Sequence, residues 1–101
     1  MPQYFLYILS CRDQTFYTGI STNLNRRVTE HNTSKLGAKY TRGRRPVKLV
    51  FFEKFKNLSL AAKEESIVKK LSRSQKIEKI NNFNNIKKLD LKICKLKQKN
   101  I

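Results

Sequence analysis

The chain has few acidic residues, few cysteines and no long apolar run, and each shortage argues against a class of protein. Only 7 Asp and Glu oppose 23 Lys and Arg, which gives a formal net charge of +16 over 101 residues. This charge favours a polyanionic partner, nucleic acid above all, although a membrane surface or mere solubility would also tolerate it. No stretch approaches the roughly 20 apolar residues of a membrane helix.

The cysteines and the N-terminal residues indicate the cellular compartment in which we expect the protein. Cys11 and Cys94 have neither the spacing of a zinc site nor that of a disulfide framework. The apolar run at residues 4–9 is too short for a signal peptide and follows no basic residue. We therefore expect a reduced, cytoplasmic protein with no membrane partner.

The patterning of apolar residues predicts one small domain that mixes strands and helices. The expected strands are residues 4–9, 16–20 and 47–55, and the expected helices are residues 23–32, one from near Ser59 and one from the capping box at Ser72–Gln75. The fold class is α/β (α+β), a three-stranded antiparallel-type sheet flanked by helices in the order β-β-α-β-α-α.

The last residues differ in composition from the rest. We expect a domain at residues 1–80 and a basic Asn/Lys-rich extension at 81–101, in which an asparagine-rich connector leads into a lysine-rich stretch. A frayed tail is favoured there over a short added strand through Leu89, Leu91 and Ile93. The tail is either simply solvated or adds nonspecific contacts to phosphates.

Four polar side chains recur at a spacing that can bring them together. Tyr7, Tyr17 and Arg27 lie ten residues apart, and His31 follows the arginine by one helical turn. Each has a structural alternative: strand packing for the tyrosines, a solvated arginine, and a histidine that interacts with a helix dipole. Together they predict a candidate reaction site, in which a phenol would need nearby cations to lower its pKa before it could act as a base.

These residues resemble the catalytic module of the GIY-YIG nuclease superfamily, in its small stand-alone bacterial branch. The resemblance is carried by Leu6-Tyr7-Ile8, Tyr17-Thr18-Gly19, the Arg27 to His31 helix, residues 39–43 and residues 65–76. Leu6 and Thr18 stand where the name-giving pattern has glycine and isoleucine. Neither change removes a side chain that carries chemistry, so both bear on the subfamily.

The resemblance implies a metal-dependent endonuclease, related to resolvases of flapped and junction DNA in repair or recombination. Tyr7 would act on the water, Tyr17 would position the phosphate and Arg27 would stabilise the transition state. His31 would contact the phosphate or relay a proton. The cofactor would be Mg²⁺ or Mn²⁺, and a protein partner for targeting is conceivable. The alternative is a catalytically weak or inactive module that binds DNA or RNA with the same fold.

Two adjacent acids compete for the role of metal ligand. On a helical wheel Glu64 falls at the centre of an apolar stripe and Glu65 falls at its edge. The members of that stripe are Leu60, Ile67 and Leu71, and Ala61 and Val68 lie alongside it, beside Glu65. The family pattern, a glutamate three residues before a Val-Lys-Lys-Leu run, selects Glu65 and leaves Glu64 in reserve. Without metal, Glu65 could pair with a lysine four residues on.

A basic segment at residues 35–48 predicts contacts with nucleic acid. It carries six basic side chains and no acid, and two glycines make it flexible. The expected contacts are Lys35, Lys39, Tyr40, Arg42, Arg44 and Arg45, with Tyr40 stacking on a base. Nothing in the segment resembles a helix that reads base edges, so binding should follow shape and charge. The alternative is a solvated loop.

Overall fold

The computed structural model describes residues 3–85 and places β1 at the centre of a three-stranded antiparallel sheet. The strands are β1 (Tyr4–Ser10), β2 (Phe16–Ser21) and β3 (Lys48–Phe55), in the order β2-β1-β3. Both pairs are antiparallel, and the β1–β3 register shifts between Ile8 and Leu9. The predicted hairpin and third strand are therefore confirmed. The expectations for the tail from residue 86 onward, and for Cys94, lie outside the described residues.

The helices of the described residues are α1 (Leu24–Thr33), α2 (Lys39–Arg42), α3 (Leu58–Lys69) and α4 (residues 73–85). Two of these four, α1 and α3, begin where an asparagine side chain caps them. Asn23 accepts a hydrogen bond from the backbone N–H of Arg26, and Asn57 accepts one from that of Leu60. The observed order confirms the prediction and adds the short helix α2, which the sequence did not indicate.

The chain divides into two compact units, and the second begins at Ser72. The predicted capping box is present there. The backbone N–H of Ser72 donates to Gln75 Oε1 at 2.9 Å, and that of Gln75 donates to Ser72 Oγ at 3.2 Å. Residues 81–85, which we expected to form a connector, are helical. Helix propensity is a weak guide, so several asparagines do not suffice to end a helix.

The core of the first unit lies on both faces of β1. Tyr7 and Leu9 share a cluster with Leu24 and Val28 of α1. Since successive strand residues face opposite ways, Leu6 and Ile8 lie on the other face, where both are fully buried. A central strand covered on both faces has four consecutive buried residues, as residues 6–9 do.

The buried face of α3 is not the one that its apolar periodicity predicts. Ala61 and Val68 are fully buried, whereas Leu60 and Ile67 are 47% and 48% exposed. The helix contacts β1 and β2 through these two smaller residues. The predicted Leu60/Ile67/Leu71 stripe is therefore wrong as a packing face. Glu64 is not at the buried centre of the helix, because the helix is rotated about its axis relative to that prediction.

Candidate active site

The hydroxyl of Tyr7 is the centre of the candidate site. Tyr7 lies in mid-strand on β1, almost fully buried, and its hydroxyl is 2.9 Å from His31 Nε2. Gly19 lies directly opposite on β2. A Cβ at Gly19 would come within 2.5 Å of the Tyr7 hydroxyl, so any larger residue there would displace the phenol. A glycine inside a strand signals such a close approach, and this role could have been inferred from sequence.

His31 is buried between the hairpin and the loop that carries α2. Its Nδ1 lies 2.9 Å from Thr41 Oγ1 and accepts the backbone N–H of Ala38 at 3.3 Å. Burial, together with the nearby charge of Arg27, lowers the pKa of His31 to about 4, so the imidazole is neutral at pH 7. Thr41 itself is fully buried. The sequence carried no sign of Thr41, because the contact spans ten residues and depends on the path of a loop.

Arg27 lies one helical turn before His31 and is held in place by its own surroundings. Its Nη1 donates to the backbone carbonyl of Leu36 at 2.8 Å and pairs with Glu30 at 3.1 Å. The positively charged Arg27 side chain also lowers the pKa of Tyr7, because it favours the phenolate. The guanidinium is about a quarter exposed, so one part of it is fixed and another part faces solvent.

Burial and the charge of Arg27 act in opposite directions on the pKa of Tyr7. Burial raises the pKa of Tyr7 to about 12, Arg27 works against that rise, and the Tyr17 and Glu65 charges add to it. Arg27 does lower this pKa, as expected, but burial disfavours the phenolate by more than Arg27 favours it. Tyr7 is a neutral phenol at pH 7.

Glu65 faces the same region from α3. Its carboxylate is close enough to raise the pKa of Tyr7, an influence that Glu64 does not share. Its side chain is 24% exposed and lies 3.6 Å from Lys69 Nζ, the helical pairing expected for a free acid. Residues 3–85 hold no cluster of three His, Cys, Asp or Glu side chains that could bind a metal. One carboxylate nevertheless fits Mg²⁺, which keeps several waters and takes further oxygens from a phosphate.

A row of rings leads from the site to the surface. The Tyr17 ring centroid is 5.1 Å from that of His31 and 6.0 Å from that of Tyr40, on which it stacks. The Arg44 guanidinium lies 4.0 Å above the Tyr40 ring, and its Nε donates to Asp13 at 3.0 Å. The Tyr40 ring is thus already engaged. A base that stacked on it, as we expected from sequence, would compete with these contacts.

The basic segment divides into bound and free cations. Arg45 donates to the backbone carbonyls of His31, Glu30 and Ser34, which caps the end of α1. Arg44 joins the segment to the β1–β2 loop. The remaining predicted cations are exposed, and within residues 3–85 their side chains form no hydrogen bond or ion pair: Lys35, Lys39 and Arg42. Two of the cations expected to meet phosphate are therefore occupied in shaping the segment.

The fold and the residues around Tyr7 together define the class of protein. The family described as the GIY-YIG catalytic domain matches residues 3–81. The chain belongs to this family, which is a nuclease family and implies a nucleic-acid substrate. The resemblance stated from sequence is confirmed. Between residues 3 and 85, no helix combines the length and the apolar character needed to cross a bilayer.

Relatives and solved structures place the chain within that family. It is 53% identical over 75 residues to UPF0213 protein DP2720 of Desulfotalea psychrophila, covering 74% of this chain and 68% of that one. A UPF0213 protein of Syntrophus aciditrophicus is 49% identical over 80 residues, covering 79% and 92%. The solution structure of EF2693 from E. faecalis has a TM-score of 0.58 at 44% identity, covering 83% and 88%. That of UPF0213 protein BH0048 from Bacillus halodurans has a TM-score of 0.51 at 42% identity, covering 78% and 83%.

Proposed function

We propose that the protein is a divalent-metal-dependent endonuclease that hydrolyses DNA phosphodiester bonds with little sequence preference. The observation that carries this proposal is the convergence of four other side chains on the Tyr7 hydroxyl. His31 is hydrogen-bonded to it at 2.9 Å, and Arg27, Tyr17 and Glu65 act on it electrostatically. A tyrosine that served only to pack the sheet would need none of these partners.

Tyr7 is proposed to orient the attacking water. It would accept the proton of that water only as a phenolate, after positive charge at the site has lowered its pKa and its own proton has left to solvent. With a pKa of about 12, the phenol is neutral at pH 7 and can hold water by hydrogen bonding. Glu65 is the residue that would hold Mg²⁺ or Mn²⁺, and such an ion supplies polarisation of the phosphoryl oxygens when bound. His31, neutral and fully buried, keeps the Tyr7 ring in position from behind.

Arg27 and Tyr17 are proposed to contact the phosphate. The bonds of Arg27 to Leu36 and Glu30 fix its guanidinium before substrate arrives, which is the condition for stabilising the charge of a transition state. The hydroxyl of Tyr17 forms no hydrogen bond within the described part of the chain, so it can donate to a phosphate oxygen. The Arg27 guanidinium and the Tyr17 hydroxyl are therefore both available for contact with the phosphate.

Phosphates outside the reacting centre are proposed to meet the free cations of the basic segment. Lys35, Lys39 and Arg42 are exposed around the loop that carries α2. These side chains lie on a loop and a helix of only four residues, neither of which can read base edges, so recognition would follow backbone shape. Branched or flapped DNA, in which backbones converge, is the substrate that we favour.

The salt dependence of binding tests this division of the cations. For each phosphate that a variant no longer neutralises, the log–log slope of affinity against salt should fall by about 0.9. Replacing Lys35, Lys39 and Arg42 together by glutamine should therefore reduce the slope by about 2 to 3. The matched control replaces three exposed lysines elsewhere, Lys54, Lys56 and Lys63. Equal reductions in both triple variants would show that the binding surface is diffuse.

Cleavage itself is tested on plasmid, single-stranded and branched DNA with Mg²⁺, with Mn²⁺ and with a chelator. We expect metal-dependent nicking that Tyr7→Phe and Glu65→Ala abolish while DNA binding remains. The second candidate is a nucleic-acid-binding module with the same fold and little activity. The raised pKa of Tyr7 favours this candidate, because a neutral phenol is a poor base. Binding without cleavage under every metal would establish it.

A further inference from the structure

We propose that the turn Ala38–Thr41 sets the tautomer of His31, so that its Nε2 carries the proton and donates to the Tyr7 oxygen. Ala38 and Thr41 would thus be positioning residues that act on Tyr7 through the imidazole. The tautomer follows from hydrogen-bond geometry alone. Its consequence for a reaction rests on the proposed nuclease function.

The backbone amide of Ala38 decides which imidazole nitrogen has the lone pair. This N–H can only donate, and it is directed at Nδ1 across 3.3 Å. A proton on Nδ1 would set two N–H groups against each other and leave a part-buried amide without an acceptor. A neutral imidazole carries one proton, so that proton is on Nε2.

The hydroxyl of Thr41 is free to strengthen the same arrangement. Its Oγ1 lies 2.9 Å from His31 Nδ1 and 2.9 Å from the Ala38 carbonyl. The carbonyl already accepts the backbone N–H groups of Thr41 at 3.1 Å and of Arg42 at 3.2 Å. The hydroxyl proton is directed at this carbonyl and can rotate to Nδ1, which lies at the same distance. Nδ1 therefore accepts the Ala38 amide and can accept the Thr41 hydroxyl as well, and the protonated Nε2 is held 2.9 Å from the Tyr7 oxygen.

This tautomer determines where the proton of Tyr7 points. The Tyr7 oxygen accepts from His31 Nε2, so its own proton is directed away from the imidazole. Under the proposed function, that proton and the remaining lone pair face the water and phosphate. The opposite tautomer would have Tyr7 donate to His31, which would turn its proton away from the reacting atoms.

Nuclear magnetic resonance can observe the tautomer directly, because the chain contains a single histidine. In a long-range ¹H–¹⁵N correlation spectrum at pH 7, we expect the Nε2–H pattern alone, with an Nε2 proton that exchanges slowly. Thr41→Val removes the hydroxyl and keeps the shape. It should speed that exchange about tenfold, the effect of losing one buried hydrogen bond, and make the other tautomer detectable. Thr41→Ser should restore the slow exchange of the Nε2 proton and the single tautomer.

The matched control is Thr29→Val, which removes an exposed threonine hydroxyl bonded to the carbonyl of Asn25 at 2.9 Å. It should leave the His31 signals unchanged. An Nδ1–H pattern in the native chain would overturn the proposal. So would identical spectra and exchange rates for Thr41→Val and the native chain.

A cleavage assay tests the consequence separately. If the chain is active, Thr41→Val should lower the cleavage rate about tenfold and Thr41→Ser should keep it near the native rate. If the native chain does not cleave DNA, the nuclease function fails while the spectra still decide the tautomer. Equal cleavage by Thr41→Val and the native chain would remove the positioning role even where the tautomer is as proposed.

Discussion

The helices α1 and α3 are of similar length and bury opposite kinds of residue. In α1 the one fully buried side chain is His31, and the apolar Leu24 and Val28 are only half-buried. In α3 the buried residues are Ala61 and Val68, while the larger Leu60 and Ile67 face outward. Hydrophobicity therefore does not decide burial in either helix.

The difference shows what each helix contributes to the site. α1 contributes directly to the core around Tyr7, where every buried polar atom within residues 3–85 has a partner. α3 approaches β1 and β2 through small residues, which leaves Glu65 half-buried at the margin of the site. One helix supplies a preorganised polar network, and the other supplies a single acid that can still bind something from outside.

The largest effect should come from removing the charged residue that each helix contributes. We expect Arg27→Ala and Glu65→Ala each to lower DNA cleavage by about 10² or more, the scale for losing one preorganised charge stabiliser. Folding and DNA affinity should change little. The neighbours Arg26→Ala and Glu64→Ala serve as controls, since they remove the same charges from the same helices. Losses of binding as large as the losses of cleavage would contradict the assigned roles.

The pH dependence of stability should distinguish the network of α1 from the rest of the molecule. The pKa of His31 is about 4 in the folded chain and near 6.5 in an unfolded one, so the unfolded state binds a proton first as pH falls. The contribution to stability is present above pH 6.5 and is lost as pH falls toward 4. It amounts to about 3 kcal/mol, from roughly 1.4 kcal/mol per pKa unit.

Chemical denaturation of the native chain and of His31→Gln, at several values between pH 4 and pH 7.5, measures this contribution. The variant should be less stable at neutral pH and should lose the additional slope between pH 6.5 and pH 4. If the free energy of unfolding changes with pH in the same way for both proteins, the imidazole takes up a proton in the folded chain as readily as in the unfolded one.

Two glycine-to-alanine substitutions measure how tightly the hairpin encloses Tyr7. Gly19→Ala would place a methyl group within 2.5 Å of the Tyr7 hydroxyl, so it should cost about 1 to 3 kcal/mol of stability. Gly43→Ala meets nothing within 4 Å and adopts an ordinary φ, so it should change stability by no more than about 0.5 kcal/mol. Thermal unfolding of both variants gives the comparison. Equal changes would show that the strand can shift to make room.

Local signals in the sequence were sufficient for the sheet and for α1. The hairpin, the asparagine that precedes α1 and the capping box at Ser72 each depend on residues close in sequence, and the structure has all three. The family was likewise readable, because Tyr7, Tyr17 and Arg27 keep a spacing that two strands and a helix impose. Such features are encoded within a few residues.

The rest depends on tertiary contacts that no local pattern records. Thr41 reaches His31 only because the loop after α1 folds back across the end of that helix. Gly37 permits this fold, since a Cβ there would come within 2.8 Å of the His31 backbone. The pKa of Tyr7 depends on burial, and the roles of Arg44 and Arg45 depend on which carbonyls and acids they meet. Composition alone presented both arginines as free cations.

The sequence also did not predict which face of α3 is buried. Substitutions at two neighbouring apolar residues test this face. Val68→Ala should cost about 2 kcal/mol, because it removes methyl groups from a fully buried position and leaves a cavity. Ile67→Ala removes a larger side chain from a position that is 48% exposed, and should cost no more than about 0.5 kcal/mol. Urea unfolding of both variants, with equal m-values as a check, compares the two faces. A larger loss of stability for Ile67→Ala than for Val68→Ala would mean that the apolar stripe is the packing face of α3. Glu64 would then lie at the buried centre of the helix.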